Sequence, residues 1–532
     1  MNRPLGAQIS HMLKARGVSH IFGIPGVHNQ EMYRGIEEAG LVHVLARHEQ
    51  GAGFMADGYA RATGKPGVAY VITGPGLCNI MTPMGQAYSD SVPVLVISSC
   101  LPDVTGIRGQ LHQMKDQRIA GAAVCDWSEE ARDAATAYAL VDRALMEFGT
   151  GRQRPKHIQV TIPALEGLAD AARAPARDGQ RPVAAQISAD QVASVAEALA
   201  QARRPLFLLG GGLARGMAQA DLGHVLQRFG AAALTSYAGR GLVAPDYPLS
   251  LGAGLARPGS AEVLAQSDCV VVIGCDLAQV DLWRDDAGTP PGKTIHVNID
   301  PEVLARAHPA DTRFLCDGAD FLAMLGAGGT GAHRSEWTAD DVAAIRGRWR
   351  AEVEAERPGI LPVVDALRDC LPGGTMIYSD MTQFAYAAKE VWDMDRPGHW
   401  HHPTGFGTLG YATPAAIGGA VARPGKPTMA IIGDYGFQYT VQELATAVEL
   451  ELSLPIFLWD NGKLGEIEDS MVGAQIAPNA VHQRNPDFVK LAEAYGARSA
   501  APQTLDAMQE AVRAAFDAPV PTLIRVTPGI AE

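Results

Sequence analysis

The feature that most constrains the fold is an apolar run, residues 429–432, that ends in Gly433-Asp434. A run of this kind is typical of a buried parallel strand, and open α/β sheets bind ligands where such strands end. Helix-forming composition follows over residues 437–451, and a second apolar run, 454–459, ends in Asp460-Asn461. A strand-helix-strand unit brings the ends of its two strands together. The sequence therefore predicts an α/β protein with a polar site at this sheet edge.

The polar groups at that edge are of the kind that Mg²⁺ prefers. The amide oxygen of Asn461 comes 27 positions after the carboxylate of Asp434, and a turn carbonyl can complete the set. These are hard oxygen ligands, suited to a metal ion that phosphates also hold. We expect a metal-bridged diphosphate site, the alternative being an ordinary strand-turn-helix of an α/β sheet.

This Gly-Asp-x-Gly motif with its distant Asn resembles the signature of thiamine diphosphate enzymes. The resemblance implies that Asp434, Asn461 and the main-chain carbonyl of Lys463 hold Mg²⁺. It assigns to the cofactor Gly433, Asp434, Tyr435, Gly436 and Asn461. Tyr435 stands where glycine is usual, and Asp460 replaces the first Asn of a pair. Neither replaced side chain is a metal ligand in the family.

Composition excludes several other classes of function. The net charge of −14 and the absence of any Lys/Arg run argue against nucleic-acid binding. The seven cysteines are odd in number and lack metal-ligand spacing, which indicates free thiols and, by default, the cytoplasm. No apolar stretch approaches the ~20 residues of a membrane span. A small-molecule ligand is expected instead.

Strands alternate with helices along three blocks of the chain, which predicts three doubly wound parallel sheets. This layout resembles the acetolactate synthase and pyruvate oxidase branch of the thiamine diphosphate family. The resemblance implies a pyrimidine-binding domain at 1–170, a central domain at 183–325 and a diphosphate-binding domain at 358–532, the first and third with one topology. The segment 170–182, rich in Ala, Arg and Pro, is expected to be a linker.

Glu49 is the candidate that this layout places in the first domain. It follows a short apolar strand at 42–45, and small residues after it open a helix. By resemblance, its carboxyl group shares a proton with the pyrimidine N1′ of the cofactor, as a carboxyl group in an apolar pocket can. The alternative is a carboxylate that only stabilises a helix N-terminus.

The stretch 405–410 matches the dinucleotide fingerprint Gly-x-Gly-x-x-Gly. No apolar strand is expected before it, and no acidic residue follows about 20 positions on outside the metal motif, so a nicotinamide or flavin oxidoreductase is disfavoured. The resemblance implies instead that Leu409 holds the cofactor bent and that the Gly407 carbonyl accepts from its 4′-amino group. Gly210–Gly212 could cradle a phosphate, but a tight turn is the commoner role, and nothing in the sequence requires FAD.

Substrate-facing residues are expected in two loops. By resemblance, His112 and Gln113 lie over the reacting carbon, with His112 as an acid, and His28 is a weaker candidate. The alternative for a lone histidine in a polar loop is simple solvation. A helix after the metal loop is expected to line the pocket and to present one or at most two of Glu466, Glu468 and Asp469 to a substrate cation, unless all three are solvated.

As the resemblance implies, the protein is a thiamine diphosphate- and Mg²⁺-dependent enzyme acting on a 2-oxo acid. Three passages, 22–28, 47–61 and 405–411, look closest to decarboxylases of 5-guanidino-2-oxopentanoate within this branch. Acetolactate synthase-type carboligation of pyruvate is the second hypothesis, and a non-catalytic scaffold the third. In the family each active site lies between two subunits, so a homodimer or homotetramer is expected.

Overall fold

A computed structural model describes residues 2–102, 109–174, 187–214, 216–285, 288, 290–306, 310–327 and 335–531. The expected linker lies outside the described residues from position 175 onward. Three separate sheets, each entirely parallel, form three α/β units. The predicted fold class, α/β with three doubly wound parallel sheets, is confirmed. No helix among the described residues has the length and apolar character needed to cross a membrane.

The first unit contains eight strands and seven helices. They are β1 (Arg3–Pro4), α1 (Leu5–Ala15), β2 (His20–Gly23), α2 (Gln30–Glu38), β3 (Val42–Leu45), α3 (Glu49–Thr63), β4 (Gly67–Val71), α4 (Pro75–Ser89), β5 (Val94–Cys100), α5 (Gln117–Ala122), β6 (Trp127–Ala131), α6 (Ala134–Thr150), β7 (Lys156–Thr161), α7 (Ile162–Glu166) and β8 (Leu168–Ala169). The sheet order is β3-β2-β4-β5-β7-β6, and β1 pairs with β8 separately.

The central unit has a five-stranded sheet. Its elements are α8 (Ala189–Gln201), β9 (Pro205–Leu209), α9 (Gln219–Phe229), β10 (Ala232–Thr235), α10 (Ser260–Ala265), β11 (Cys269–Ile273), α11 (Gln279–Leu282), β12 (Lys293–Asn298), α12 (Pro301–Leu304), β13 (Thr312–Leu315) and α13 (Gly318–Gly326), in the order β10-β9-β11-β12-β13. Gly210 lies against Gly274, where an added Cβ would be 2.1 Å from the carbonyl oxygen. Close main-chain packing therefore accounts for this glycine.

The third unit has a six-stranded sheet. Its elements are α14 (Ala339–Glu356), α15 (Leu361–Cys370), β14 (Met376–Ser379), α16 (Gln383–Val391), β15 (Trp400–His401), α17 (Ala412–Ala422), β16 (Thr428–Gly433), α18 (Asp434–Tyr439), α19 (Glu443–Glu449), β17 (Pro455–Trp459), α20 (Gly465–Gly473), α21 (Phe488–Ala494), β18 (Arg498–Ala500), α22 (Leu505–Phe516) and β19 (Thr522–Val526). The order is β15-β14-β16-β17-β19-β18.

The first and third sheets share one topology. Counted along each unit's own six-stranded sheet, both run second, first, third, fourth, sixth, fifth. The two units also pack directly on each other through α3 and α17. A Cβ on Gly58 would lie 1.9 Å from the carbonyl oxygen of Ala415, and Tyr378 donates to the Gly58 carbonyl at 2.8 Å. One hydrophobic cluster runs through both units. A side chain at Gly58 would force the helices apart.

Two local predictions are wrong. The helix expected over 437–451 is interrupted at Thr440, whose hydroxyl donates to the carbonyl of Gly410 at 2.8 Å. That contact ties Thr440 to residues 405–410, the glycine-rich loop, and separates α18 from α19. A strand does precede the loop at 405–410, since β15 pairs with β14 in parallel. The strand has only two residues, so its periodicity could not be read from the sequence.

Candidate active site

Glu49 is the first residue of α3, at the carboxyl end of β3, and its side chain is 9% exposed. Asn79 donates to one carboxylate oxygen at 2.8 Å. The other oxygen would lie 3.5 Å from a Cβ on Gly76, at the start of α4. His48 caps α3 by accepting from Gln50. The carboxylate is therefore fixed beside the N-terminal end of α4.

A histidine pair belongs to the same face of the first unit. The rings of His28 and His112 meet edge to face with centroids 4.9 Å apart, and the Nδ1 atom of each is buried and has no hydrogen-bond partner among the described residues. Burial, followed by the proximity of His112, lowers the pKa of His28. The His112 carbonyl lies 2.3 Å from where Gly74 would carry a Cβ, so the histidine loop touches the start of α4. Gln113 is exposed and accepts from Gln110 at 3.2 Å.

Asp434 opens α18 at the end of β16 and is 2% exposed. Its Oδ2 accepts from the Gly462 amide at 2.9 Å, from Gln483 at 3.1 Å and from Asn485 at 2.6 Å. Among the described residues, its Oδ1 accepts only from the adjacent Tyr435 amide, at 2.9 Å. Burial raises the pKa of Asp434, while the amides of Asn485 and Gln483 act in the opposite direction. One oxygen is thus held by amides and the other is open to a ligand.

The neighbouring oxygens fit a phosphate-bound metal ion. In the part of the chain that the structure describes, Asn461 Oδ1 accepts only from the Lys463 amide, at 3.3 Å, and no donor reaches the Lys463 carbonyl. Among the described residues, no three His, Cys, Asp or Glu side chains are grouped to hold a metal. The set of Asp434, Asn461 and Lys463 carries one charge and two neutral oxygens. Such a set needs phosphates to complete the coordination of Mg²⁺, as expected for a diphosphate site.

The glycine-rich loop is held from both sides. Gly405 donates to Asp90 of the first unit at 2.8 Å, and Gly410 donates to Asp380 at 2.8 Å. Between these anchors Gly407 is exposed and has a φ of +66°, a conformation that favours glycine. Leu409 is half-buried. The loop therefore presents Gly407 and Leu409 on a fixed backbone.

Asp380 is a site residue that sequence reasoning missed. It follows β14, is fully buried, and also accepts from the Met381 amide at 2.7 Å. A Cβ on Gly436 would lie 3.1 Å from its Oδ2, so Asp380 contacts α18 as well as the glycine-rich loop. Burial raises its pKa to about 6. The available signal was a carboxylate directly after an apolar strand, the same placement that identified Asp434.

Within one chain, Glu49 and the glycine-rich loop lie at opposite ends of α4. Glu49 binds Asn79 in the second turn of α4, whereas Gly405 binds Asp90, the residue just after the helix. Asn79 and Asp90 are about 16 Å apart along the axis at 1.5 Å per residue. The Phe406 ring lies 2.8 Å from where Gly85 would carry a Cβ, so the glycine-rich loop meets the C-terminal half of α4 and Glu49 its N-terminal half.

Two of the three acidic side chains expected to meet a substrate cation already have cation partners. Glu466 forms a two-pronged ion pair with Arg357 at 2.8 and 3.1 Å. Glu468 binds Lys463 at 2.5 Å and His482 at 2.9 Å. These carboxylates are matched by the chain's own charges. The geometry therefore disagrees with the expectation that Glu466 or Glu468 is free for a substrate.

Asp469 is the member of the trio without a cation partner among the described residues. It is exposed and accepts from the side-chain amide of Gln383 at 3.2 Å. Gln383 in turn accepts from Asn461 at 3.1 Å. Asp469 is thus one side chain away from the oxygens that fit a metal ion.

Comparison with known proteins agrees with this arrangement. Residues 3–119 match the N-terminal TPP binding domain of thiamine pyrophosphate enzymes, residues 192–325 the central domain, and residues 380–526 the C-terminal TPP binding domain. A probable 2-ketoarginine decarboxylase of Pseudomonas aeruginosa is 41% identical over 98% of this chain and 93% of its own. The large subunit of acetolactate synthase isozyme 2 of Escherichia coli is 29% identical over 98% of this chain and 95% of its own.

Proposed function

The chain belongs to the family of thiamine pyrophosphate enzymes, and from that premise we propose that it decarboxylates 5-guanidino-2-oxopentanoate, which is 2-ketoarginine. The products are CO₂ and 4-guanidinobutanal, and one proton replaces the carboxylate. The observation that carries the choice of substrate is the 41% identity, over nearly the whole of both chains, to the probable 2-ketoarginine decarboxylase. The geometry that supports the cofactor is the oxygen set around Asp434.

In this proposal Asp434, Asn461 and the Lys463 carbonyl hold Mg²⁺, and Gly433, Tyr435 and Gly436 adjoin the diphosphate. The open Oδ1 of Asp434 and the underused Oδ1 of Asn461 support these roles. When bound, thiamine diphosphate supplies a nucleophilic carbon and accepts the electrons left by departing CO₂. The protein's own part is orientation, exclusion of water and control of protons.

The proton roles fall to the face that carries Glu49. The Glu49 carboxyl group holds a proton at the pyrimidine N1′, and its fixed contact with Asn79 supports that role. His112, with His28 against it, delivers the proton that replaces CO₂, and Gln113 contacts the same carbon. The unpartnered Nδ1 atoms of both histidines support a proton donor at this place. Leu409 and the Gly407 carbonyl hold the cofactor bent.

We infer that a working site needs two copies of the chain. Glu49 contacts α4 at Asn79, whereas the glycine-rich loop of the same chain contacts α4 at Gly85 and the following residue Asp90. A second copy, related by a twofold axis, can bring its own glycine-rich loop and Asp434 to the first copy's Glu49. A homodimer is the smallest such assembly, and a homotetramer of paired dimers also satisfies the requirement.

The substrate's guanidinium requires a carboxylate inside the closed site, because a buried cation is tolerated only when it is paired. Asp469 supplies it in this proposal. Its lack of a cation partner among the described residues, unlike Glu466 and Glu468, and its link through Gln383 to Asn461 support the assignment.

Carboligation of two pyruvate molecules, as in acetolactate synthases, is the second candidate. It is favoured by relatives such as the Escherichia coli isozyme 2 large subunit, which matches over 98% of this chain. Nothing in the sequence requires FAD. We place the protein in the cytoplasm, a proposal supported by seven cysteines that are all free thiols.

The test is product identification. The purified protein, supplied with thiamine diphosphate and Mg²⁺, is incubated with 5-guanidino-2-oxopentanoate, pyruvate and uncharged 2-oxo acids of similar length. Mass spectrometry should find 4-guanidinobutanal as the main product at the highest rate. Acetolactate formed from pyruvate at a higher rate would replace this proposal with the carboligase.

A further inference from the structure

Glu443 is a buried carboxylate of the third unit whose partners lie in the first unit. It begins α19 and has no exposed surface. The Arg47 amide donates to both of its oxygens at 3.1 Å, and the His48 amide donates to Oε1 at 2.9 Å. These two amides belong to the residues immediately before Glu49. Glu443 therefore holds the main chain that leads into α3.

Close packing leaves the carboxylate little freedom. A Cβ on Gly51 would lie 2.2 Å from Glu443 Oε1, so the first turn of α3 rests directly on the carboxylate. Thr446, one turn along α19, donates to Glu443 at 2.9 Å and lies 3.2 Å from the Leu45 carbonyl at the end of β3. Side chains of α19 therefore contact the main chain of the β3–α3 connection at Leu45, Arg47 and His48.

The groups around the Glu443 carboxylate indicate that it holds the main chain before Glu49 in place. The Arg47 guanidinium turns away to pair with Glu449 at the surface, so main-chain amides and one hydroxyl are the hydrogen-bond donors that face Glu443. A buried carboxylate destabilises the folded state unless it is hydrogen-bonded. Glu443 meets this condition by binding main-chain amides, which indicates a structural role. Nothing in the proposed chemistry uses Glu443 directly.

We propose that Glu443 is a positioning residue for Glu49, which it acts on through the Arg47 and His48 amides. The inference rests on the proposed role of Glu49 toward the cofactor. Because Glu49 serves a site completed by another copy, Glu443 also joins the Asp434-bearing unit of one active site to the acid of the next. Without it the first turn of α3 loosens, and Glu49 loses its fixed distance to the pyrimidine ring.

The experiment compares three variants of the full-length protein. Glu443→Ala removes both acceptors. Glu443→Gln keeps one oxygen for the Arg47 and His48 amides, while its NH₂ group can donate to Thr446. Glu449→Gln is the matched control, because it lies on the same helix and contacts the Arg47 side chain but not the main chain.

Two readouts separate positioning from general stability. Hydrogen exchange of the peptide covering residues 47–50, measured without cofactor, should rise at least roughly tenfold in Glu443→Ala and stay at the wild-type level in the other two variants. Exchange of the cofactor C2 proton should slow by roughly 10²-fold in Glu443→Ala, the loss expected from a small misplacement of a reacting group. Glu443→Gln should restore most of it.

Gly51→Ala provides a second route if Glu443→Ala does not fold, since the three atoms nearest to its methyl group would all belong to the Glu443 side chain, which must shift. It should slow C2-proton exchange while cofactor binding persists. Wild-type C2-proton exchange in both Glu443→Ala and Gly51→Ala would overturn the inference, and so would a Glu443→Gln defect as large as that of Glu443→Ala. If Glu49→Gln itself leaves C2-proton exchange unchanged, the proposed function fails first.

Discussion

The first and third units have the same strand order and differ in the residues at the carboxyl ends of their strands. In the first unit the strand-end loops carry Glu49 and a pair of histidines. In the third unit the matching edge carries Asp434, Asn461 and Asp380, surrounded by amides. In the proposed function, one topology thus supplies a proton-handling face in the first unit and a face for the diphosphate and metal ion in the third. The few residues after each strand then set the chemistry.

In the proposed function neither face works alone. The two units of one chain pack on each other through α3 and α17. Glu443 of the third unit also accepts from the main-chain amides that precede Glu49. Substitutions that alter one face at a time should therefore have separable effects.

The largest effect is expected at Asp434, because the metal and diphosphate depend on it. Asp434→Ala should abolish activity and remove the rise in melting temperature that added thiamine diphosphate and Mg²⁺ give the wild type. Ligand at 100 times its Kd stabilises a folded protein by about 2.7 kcal/mol. Differential scanning fluorimetry measures the loss, with Asp487→Asn as a surface control. A variant with undiminished cofactor stabilisation would contradict the assignment.

Glu49 should give the opposite pattern, with binding kept and activation lost. Glu49→Gln retains the shape and the contact with Asn79 but cannot share a proton. Exchange of the C2 proton, followed by NMR after acid quench, should slow by roughly 10²–10⁴-fold. Cofactor stabilisation should remain within the wild-type range. Equal exchange in variant and wild type would remove Glu49 from the mechanism.

The sequence alone predicted many of the strands of both units and some of the charged residues that follow them. Apolar runs that end in charged residues identified the strands before Glu49 and Asp434, because side-chain pattern and strand-end chemistry are both local. Asp380 was missed, although it has the same placement, since its importance comes from amides 30 positions away. The pairing of Arg357 with Glu466 was also beyond sequence reasoning, because it joins residues 109 positions apart. The domain boundaries stay predictions.

A smaller effect is expected at Asp469. Asp469→Asn should raise KM for 5-guanidino-2-oxopentanoate by roughly tenfold, the equivalent of ~1.4 kcal/mol for one charge-assisted contact. Turnover of uncharged 2-oxo acids should stay close to wild type. Glu468→Gln, whose carboxylate already pairs with Lys463 and contacts His482, is the matched control for steady-state kinetics. If Asp469→Asn changes KM equally for the charged and the uncharged substrates, the substrate's guanidinium is bound elsewhere.

The smallest effect concerns the pH dependence of stability. Burial raises the pKa of Glu443 from its ordinary value of 4.5 to about 7. The stabilising contribution of its proton is therefore complete below pH 4.5 and is lost as the pH rises to about 7. Glu443→Gln has no such proton to lose. Its melting temperature relative to wild type should rise across this window, and a pH-independent difference would contradict the burial argument.

The central claim is that one active site takes Glu49 from one chain and Asp434 from another. Mixing subunits that carry Glu49→Gln with subunits that carry Asp434→Ala tests it directly, after dissociation and reassembly. A mixed dimer then has one site with both defects and one site with neither. Random mixing should restore about a quarter of wild-type activity, since half of the dimers are mixed and each has one intact site. No recovery in verified mixed dimers would show that each site lies within a single chain.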